Sequence, residues 1–111
     1  MRRGRLLPRG MAGMIEKVAE MLGISVEEAK AKGALALLRE RRRACMLERL
    51  EILRRYRAKS ASDLEAMIRE GKVEEHPGWE DLILLENIEE EIRRIDKAIE
   101  DLSANFEQGE K

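Results

Sequence analysis

The sequence predicts an all-α fold, a helical hairpin or bundle with one long central helix and a C-terminal helix patterned in heptads. Three observations carry this. Charged side chains make up 41% of the 111 residues and aromatics 3%. Such a chain lacks the material for a thick aromatic core but suits long helices with narrow apolar stripes. No proline occurs between Val26 and Lys59, so one helix can run through that stretch uninterrupted. Leu85, Ile88, Ile92, Ile95, Ile99 and Leu102 follow one another at spacings of 3, 4, 3, 4 and 3, a heptad seam over nearly three repeats.

In chain order, residues 1–11 form a basic arm. A first short helix follows over 12–22, where Met14, Ile15, Val18, Met21 and Leu22 share one apolar face. Gly23 stops it. Ser25 and Glu28 fit a capping box that starts the second helix, which spans Val26 to about Lys59, roughly 50 Å. Ala31, Ala34, Leu35, Leu38, Cys45, Met46, Leu50, Ile52, Leu53 and Tyr56 fall on one broad face of it. Arg42 lies inside that face, where it snorkels, meets an acidic partner, or marks a break between packing regions. Gly33 weakens the helix by about 1 kcal/mol relative to alanine, and close helix approach would explain it.

SASDLEAMIREG, residues 60–71, reads as a third helix. Ser62 and Glu65 form its capping box, Leu64, Met67 and Ile68 its inward face, and Gly71 its end. The fourth begins near Trp79 and carries the seam, which packs either on helix two of the same chain or between chains. Residues 106–111 are a frayed tail. The organisation is therefore the arm (1–11), the first two helices (12–59), the third helix, corner and seam helix (60–105), and the tail.

GKVEEHPGWED, residues 71–81, gathers the only His, the only Trp and one of the two prolines. A helix-to-helix corner explains each. Pro77 suits a first helical turn, where its missing N–H costs nothing. Glu80 and Asp81 favour the positive end of the helix dipole. Val73 and Trp79 cover the end of the apolar seam, and His76 caps the helix or pairs with a carboxylate. The rival is a divalent-metal or acid–base site built from Glu74, Glu75, His76, Glu80 and Asp81. Its spacing matches no ligand motif, and a catalytic zinc site wants more histidines. No cofactor, metal or catalytic residue is expected, and the chain is read as non-enzymatic.

Cys45, the one cysteine, excludes an intrachain disulfide and a cysteine-rich metal site. It reads as a small buried hydrophobe. No apolar run approaches the roughly 18 residues of a membrane span. MRRGRLLPRG lacks the apolar region of a signal peptide, so a cytoplasmic location is expected. Scarce Gln and Asn with abundant Glu, Arg and Leu match proteins from hot environments. A thin helical hairpin buries little surface alone, so a homo-oligomer, a dimer, is expected.

Net charge is −1, unevenly placed: residues 1–61 carry 16 basic and 7 acidic side chains, and residues 62–111 carry 6 and 16. Two antiparallel helices with complementary faces account for this. So does a basic half for nucleic acid joined to an acidic half for a basic protein. Within the RERRRAC run, Arg39, Arg41 and Arg43 are the candidates for DNA or an acidic partner. Trp79, Leu85, Ile88, Ile92, Ile95, Ile99 and Leu102 are the candidate partner-binding seam.

The stretch from RGRLLPRG through LGISVEEA (Leu22–Ala29) to GALALL (Gly33–Leu38) resembles the ribbon-helix-helix family. The resemblance implies a short N-terminal strand, a dimer, and DNA binding. Arg3 and Arg5 would read bases, and Ser25 and Val26 would anchor a phosphate at a helix N-terminus. MRRGRLLP departs from the pattern, with no β-branched residue and a glycine at Gly4. The half from RYRAKSASDLE to GKVEEHPGWEDLILLENIEEEI is similar to small helical antitoxins. That implies a partner such as a basic toxin, held by the acidic half. The alternative is a coiled-coil scaffolding subunit without DNA binding, its seam buried between chains.

Overall fold

A computed structural model describes residues 13–109. The basic arm, with Arg3, Arg5 and the strand implied by the resemblance, lies outside the described residues. Four helices follow in order: α1 (Met14–Leu22), α2 (Val26–Tyr56), α3 (Ala61–Arg69) and α4 (Glu75–Gly109). No strand occurs among the described residues. The all-α fold with a long central helix and a long C-terminal helix is therefore the fold of this chain. The chain divides into two compact units, one of residues 38–100 and one comprising the segments on either side, up to 37 and from 101. α2 and α4 each contribute to both.

Three helix ends are built alike. Gly23 (φ +70) sends its N–H to the Glu20 carbonyl while Ile24 N–H reaches Ala19. Gly71 (φ +78) and Lys72 repeat the pattern on Ile68 and Met67 at the end of α3. These are Schellman closures, in which a left-handed residue turns the chain back onto its last free carbonyls. α2 ends the same way, Arg57 bonding to Arg54 and Ala58 to Leu53, but a non-glycine, Arg57, sits at φ +57. Its Cβ is strained against the backbone there. Arg57→Gly is expected to stabilise the fold by about 0.5–1 kcal/mol, measured by urea unfolding. A loss of stability would show that the arginine side chain contributes more than the left-handed geometry costs.

Helix starts follow the sequence less closely. Ser25 Oγ accepts the Glu28 N–H at 2.9 Å, half of the expected box, while the Glu28 carboxylate pairs with Lys32 at 3.2 Å. For α3 the box lies elsewhere. Ser60, in extended backbone, accepts the Asp63 N–H at 3.0 Å, and Asp63 accepts the Lys59 N–H at 2.8 Å. Ser62 is already inside the helix, so its hydroxyl has no free amide to cap, and Glu65 instead holds Arg69.

The core of the 38–100 unit is where the heptad pattern is spent. Leu82, Leu85, Ile88, Ile92 and Ile95 of α4 form one buried cluster with Cys45, Ile52 and Leu53 of α2 and Ala61, Leu64 and Ile68 of α3. Ile99 and Trp79 pack at its margins. The choice between an internal and an intermolecular seam thus falls on the internal one. A side chain this buried offers nothing to a second chain.

At the corner, His76 and Pro77 are non-helical and joined by a cis peptide, so regular helix begins after Pro77. Val73 and Trp79 cover the margin of the core, and the Arg69 guanidinium stands 5.4 Å above the Trp79 ring. Gly78 carries a constraint absent from the sequence reading. A Cβ there would stand 3.2 Å from the Ile68 side chain and 3.4 Å from that of Val73, so any larger residue would require those side chains to give by a few tenths of an ångström where α4 starts against α3. At Gly33 a Cβ would meet nothing within 4 Å; close approach does not explain that glycine. α4 remains helical to Gly109, past the Asn105 where fraying is expected.

Candidate interaction surfaces

Four arginines of α2 reach across to four carboxylates of α4. Arg41 forks onto Glu91 (2.7 and 3.0 Å) and Arg42 onto Asp96 (2.5 and 3.4 Å). Arg49 meets Glu89 at 2.9 Å and Arg55 meets Asp81 at 3.0 Å. Of the three roles open to Arg42, the acidic partner is the one realised. The pairs are exposed or part-buried and individually weak, but together they favour the antiparallel register of α2 against α4. They also account for much of the charge asymmetry of the chain, because basic α2 and acidic α4 neutralise each other locally. Glu91 is held below the usual carboxylate range by its hydrogen bond from Arg41. Tyr56 also donates to Asp81, through a short hydrogen bond.

Chemistry at the remaining candidates is sparse. Cys45 is 1% exposed, and burial first, then Glu91, pushes its thiol upward, so it is a protonated core residue rather than a nucleophile. His76 Nδ1 lies 2.9 Å from Glu80, with both side chains in solvent. Their hydrogen bond raises the imidazole and lowers the carboxylate. Among the described residues no group of three or more His, Cys, Asp or Glu is arranged to hold a metal ion. No helix among them is long and apolar enough to cross a membrane.

The predicted site residues scatter. Arg41 is committed to Glu91, whereas Arg39 and Arg43 are exposed. Ser25 caps α2 with its hydroxyl and Val26 is half-buried beside it. Leu85, Ile88, Ile92 and Ile95 are core, Trp79 and Ile99 line its edge, and Leu102, in the other unit, is half-buried.

What the fold leaves uncovered is apolar. On α1, expected to bury Met14, Ile15, Val18, Met21 and Leu22, only Ala19 is buried, and Met21 is 83% exposed. On α2, Leu47 and Leu50 are exposed although Cys45, Ile52 and Leu53 beside them are core. The broad face read from the sequence therefore splits. Met46 and Leu50 lie outside the core that Cys45 and Ile52 enter. The signal for the second stripe is present in the sequence, since Leu37 and Leu47 fit no position on the inward face. The model of one protein family, described as "Uncharacterized protein MJ0235 family", matches residues 11–106.

The chain belongs to the MJ0235 family. The match spans all four helices apart from the last few residues of α4, so the core, the arginine ladder and both uncovered faces lie within the family's domain. No curated protein and no solved structure matches this family member.

Proposed function

We propose that this chain is a non-enzymatic protein-interaction module whose partner docks on the outer face of α1. The observation that carries this is the exposure, 40% or more, of Met14, Ile15, Val18, Met21 and Leu22 together on one short helix. A contiguous apolar face left in water is the mark of a binding surface, and an amphipathic helix laid in a groove is a common way to use one. An antitoxin paired with a small toxin is the specific form favoured by the antitoxin-like second half. In that form the apolar face carries the contact. The carboxylates of Asp81, Glu89, Glu91 and Asp96 are already engaged by the chain's own arginines and offer a basic partner correspondingly less. The scaffolding alternative relies on a seam between chains, and the burial of Leu85, Ile88, Ile92 and Ile95 in the chain's own core supports the docking reading over it.

The test is a photo-crosslinking residue in place of Met21, used in source cells, with the exposed Glu86 as control position. One dominant protein adduct at Met21, missing at Glu86, supports docking. The captured protein is then expressed alone and with this chain; growth arrest relieved by co-expression gives the antitoxin form. Absence of any Met21-specific adduct overturns the reading.

A further inference from the structure

We infer that the outer stripe of α2 is an interface between two copies of this chain, paired antiparallel about a two-fold axis at Leu47. At about 100° per residue, Glu40, Arg43, Leu47, Leu50, Glu51 and Arg54 fall within one arc of about 100°, roughly opposite Cys45 and Tyr56. All six are exposed, Leu47 to 61%. Leu47, Leu50, Glu51, Arg54 and, at its edge, Arg55 line a shallow depression between successive helical turns, the kind of hole that receives a side chain from a facing helix.

The charges say which helix that is. Among the described residues Glu40, Arg43, Glu51 and Arg54 make no ion pair, whereas Arg41, Arg42, Arg49 and Arg55, which fall outside this arc, are all paired with carboxylates of α4. The four unpaired charges are arranged symmetrically by sign about Leu47. Arg43 and Glu51 stand four residues to either side, and Glu40 and Arg54 seven. In an antiparallel two-fold pairing, residues equally far from the axis meet. Arg43 then faces Glu51 of the copy, and Glu40 faces Arg54, each twice. Leu47 meets Leu47 on the axis, and Leu50 lies over the small Ala44. Sliding the copies so that Leu47 faces Leu50 brings Arg43 opposite Arg54, which is repulsive. A parallel pairing sets like charges level with one another. One register satisfies both the apolar and the charged positions, and it requires a second copy of the same helix. The homodimer expected from the sequence acquires a specific face, independent of any partner on α1.

The experiment is sedimentation equilibrium on the full chain across a concentration series, with helical content checked by circular dichroism. The wild type is expected to dimerise, and Leu47→Arg, which sets two cations on the axis, to stay monomeric and folded over the same range. Arg43→Glu and Glu51→Arg are each expected to weaken dimerisation at least about tenfold, since either brings like charges together twice. The double variant Arg43→Glu/Glu51→Arg reverses both partners and is expected to recover wild-type affinity to within about threefold. A wild type that stays monomeric overturns the proposal. So does a dimer that survives Leu47→Arg, or a double variant no better than the singles. No substituted residue lies on α1, so failure here leaves the crosslinking result at Met21 standing.

Discussion

Leu85→Ala is expected to lower the unfolding free energy by about 3 kcal/mol, while Leu84→Ala, one residue away, costs less than about 1 kcal/mol. The two leucines have the same chemistry and the same helix propensity, so the difference isolates burial. Leu85 is fully buried between α2 and α3, and Leu84 is 43% exposed. Truncating Leu85 removes apolar contact and leaves a hole that a close-packed core refills only in part. A domain of this size is stable by about 5–15 kcal/mol, so the loss is a large share of the total. Urea unfolding of both variants at unchanged m-value is the measurement. Near-equal losses would mean that the heptad phase of α4 is set differently from the phase described.

Asp81→Ala is expected to cost about 1–3 kcal/mol and to change how the only tyrosine titrates. Asp81 anchors the top of the ladder, because its carboxylate accepts both the Arg55 guanidinium and the Tyr56 hydroxyl. Without it a half-buried hydroxyl loses its acceptor. The Tyr56 hydroxyl is pushed from 10 up to about 12, first by burial and then by the hydrogen bond to Asp81. The folded state therefore holds this proton more tightly than the unfolded state. The contribution to stability is complete below pH 10 and is lost as the pH rises through about 12. Since the chain has one tyrosine, tyrosinate absorbance follows this group alone. The folded wild type is expected to ionise near pH 12. In Asp81→Ala the midpoint falls but stays above 10, because burial, the larger cause, remains. Ionisation of the folded wild type at the ordinary tyrosine value would contradict the contact.

The helices and their ends were largely legible because they depend on neighbours in the chain. A proline-free run, a glycine that accepts positive φ and a serine ahead of free amides act within one or two turns. Gly23, Ser25 and Gly71 all stand where that logic puts them. The second capping box was displaced by two residues because two serines competed, and the extended backbone of Ser60 decided the outcome. The end of α2 falls at Arg57 without the glycine that usually marks such a turn.

The surfaces were less legible, since exposure depends on what another part of the chain covers. The spacing of Met14, Ile15, Val18, Met21 and Leu22 identifies an amphipathic helix, yet the same spacing describes a buried face and a waiting one. The arginine run likewise reads as a nucleic-acid patch or as half of an ion-pair ladder until the carboxylates opposite it are located. Only the fold set Arg41 beside Glu91 and Arg42 beside Asp96.

By itself, then, the sequence determined the all-α class, the long central helix, the position of the corner and the heptad stripe of α4, each a consequence of local propensity and periodicity. Tertiary structure decided that the seam closes within the chain, that Gly78 sits close beneath the Ile68 side chain, and that α2 is apolar on two sides with only one of them filled. These are long-range facts. Periodicity states which residues share a face, but only the packing of one element on another establishes whether that face is covered, and by what.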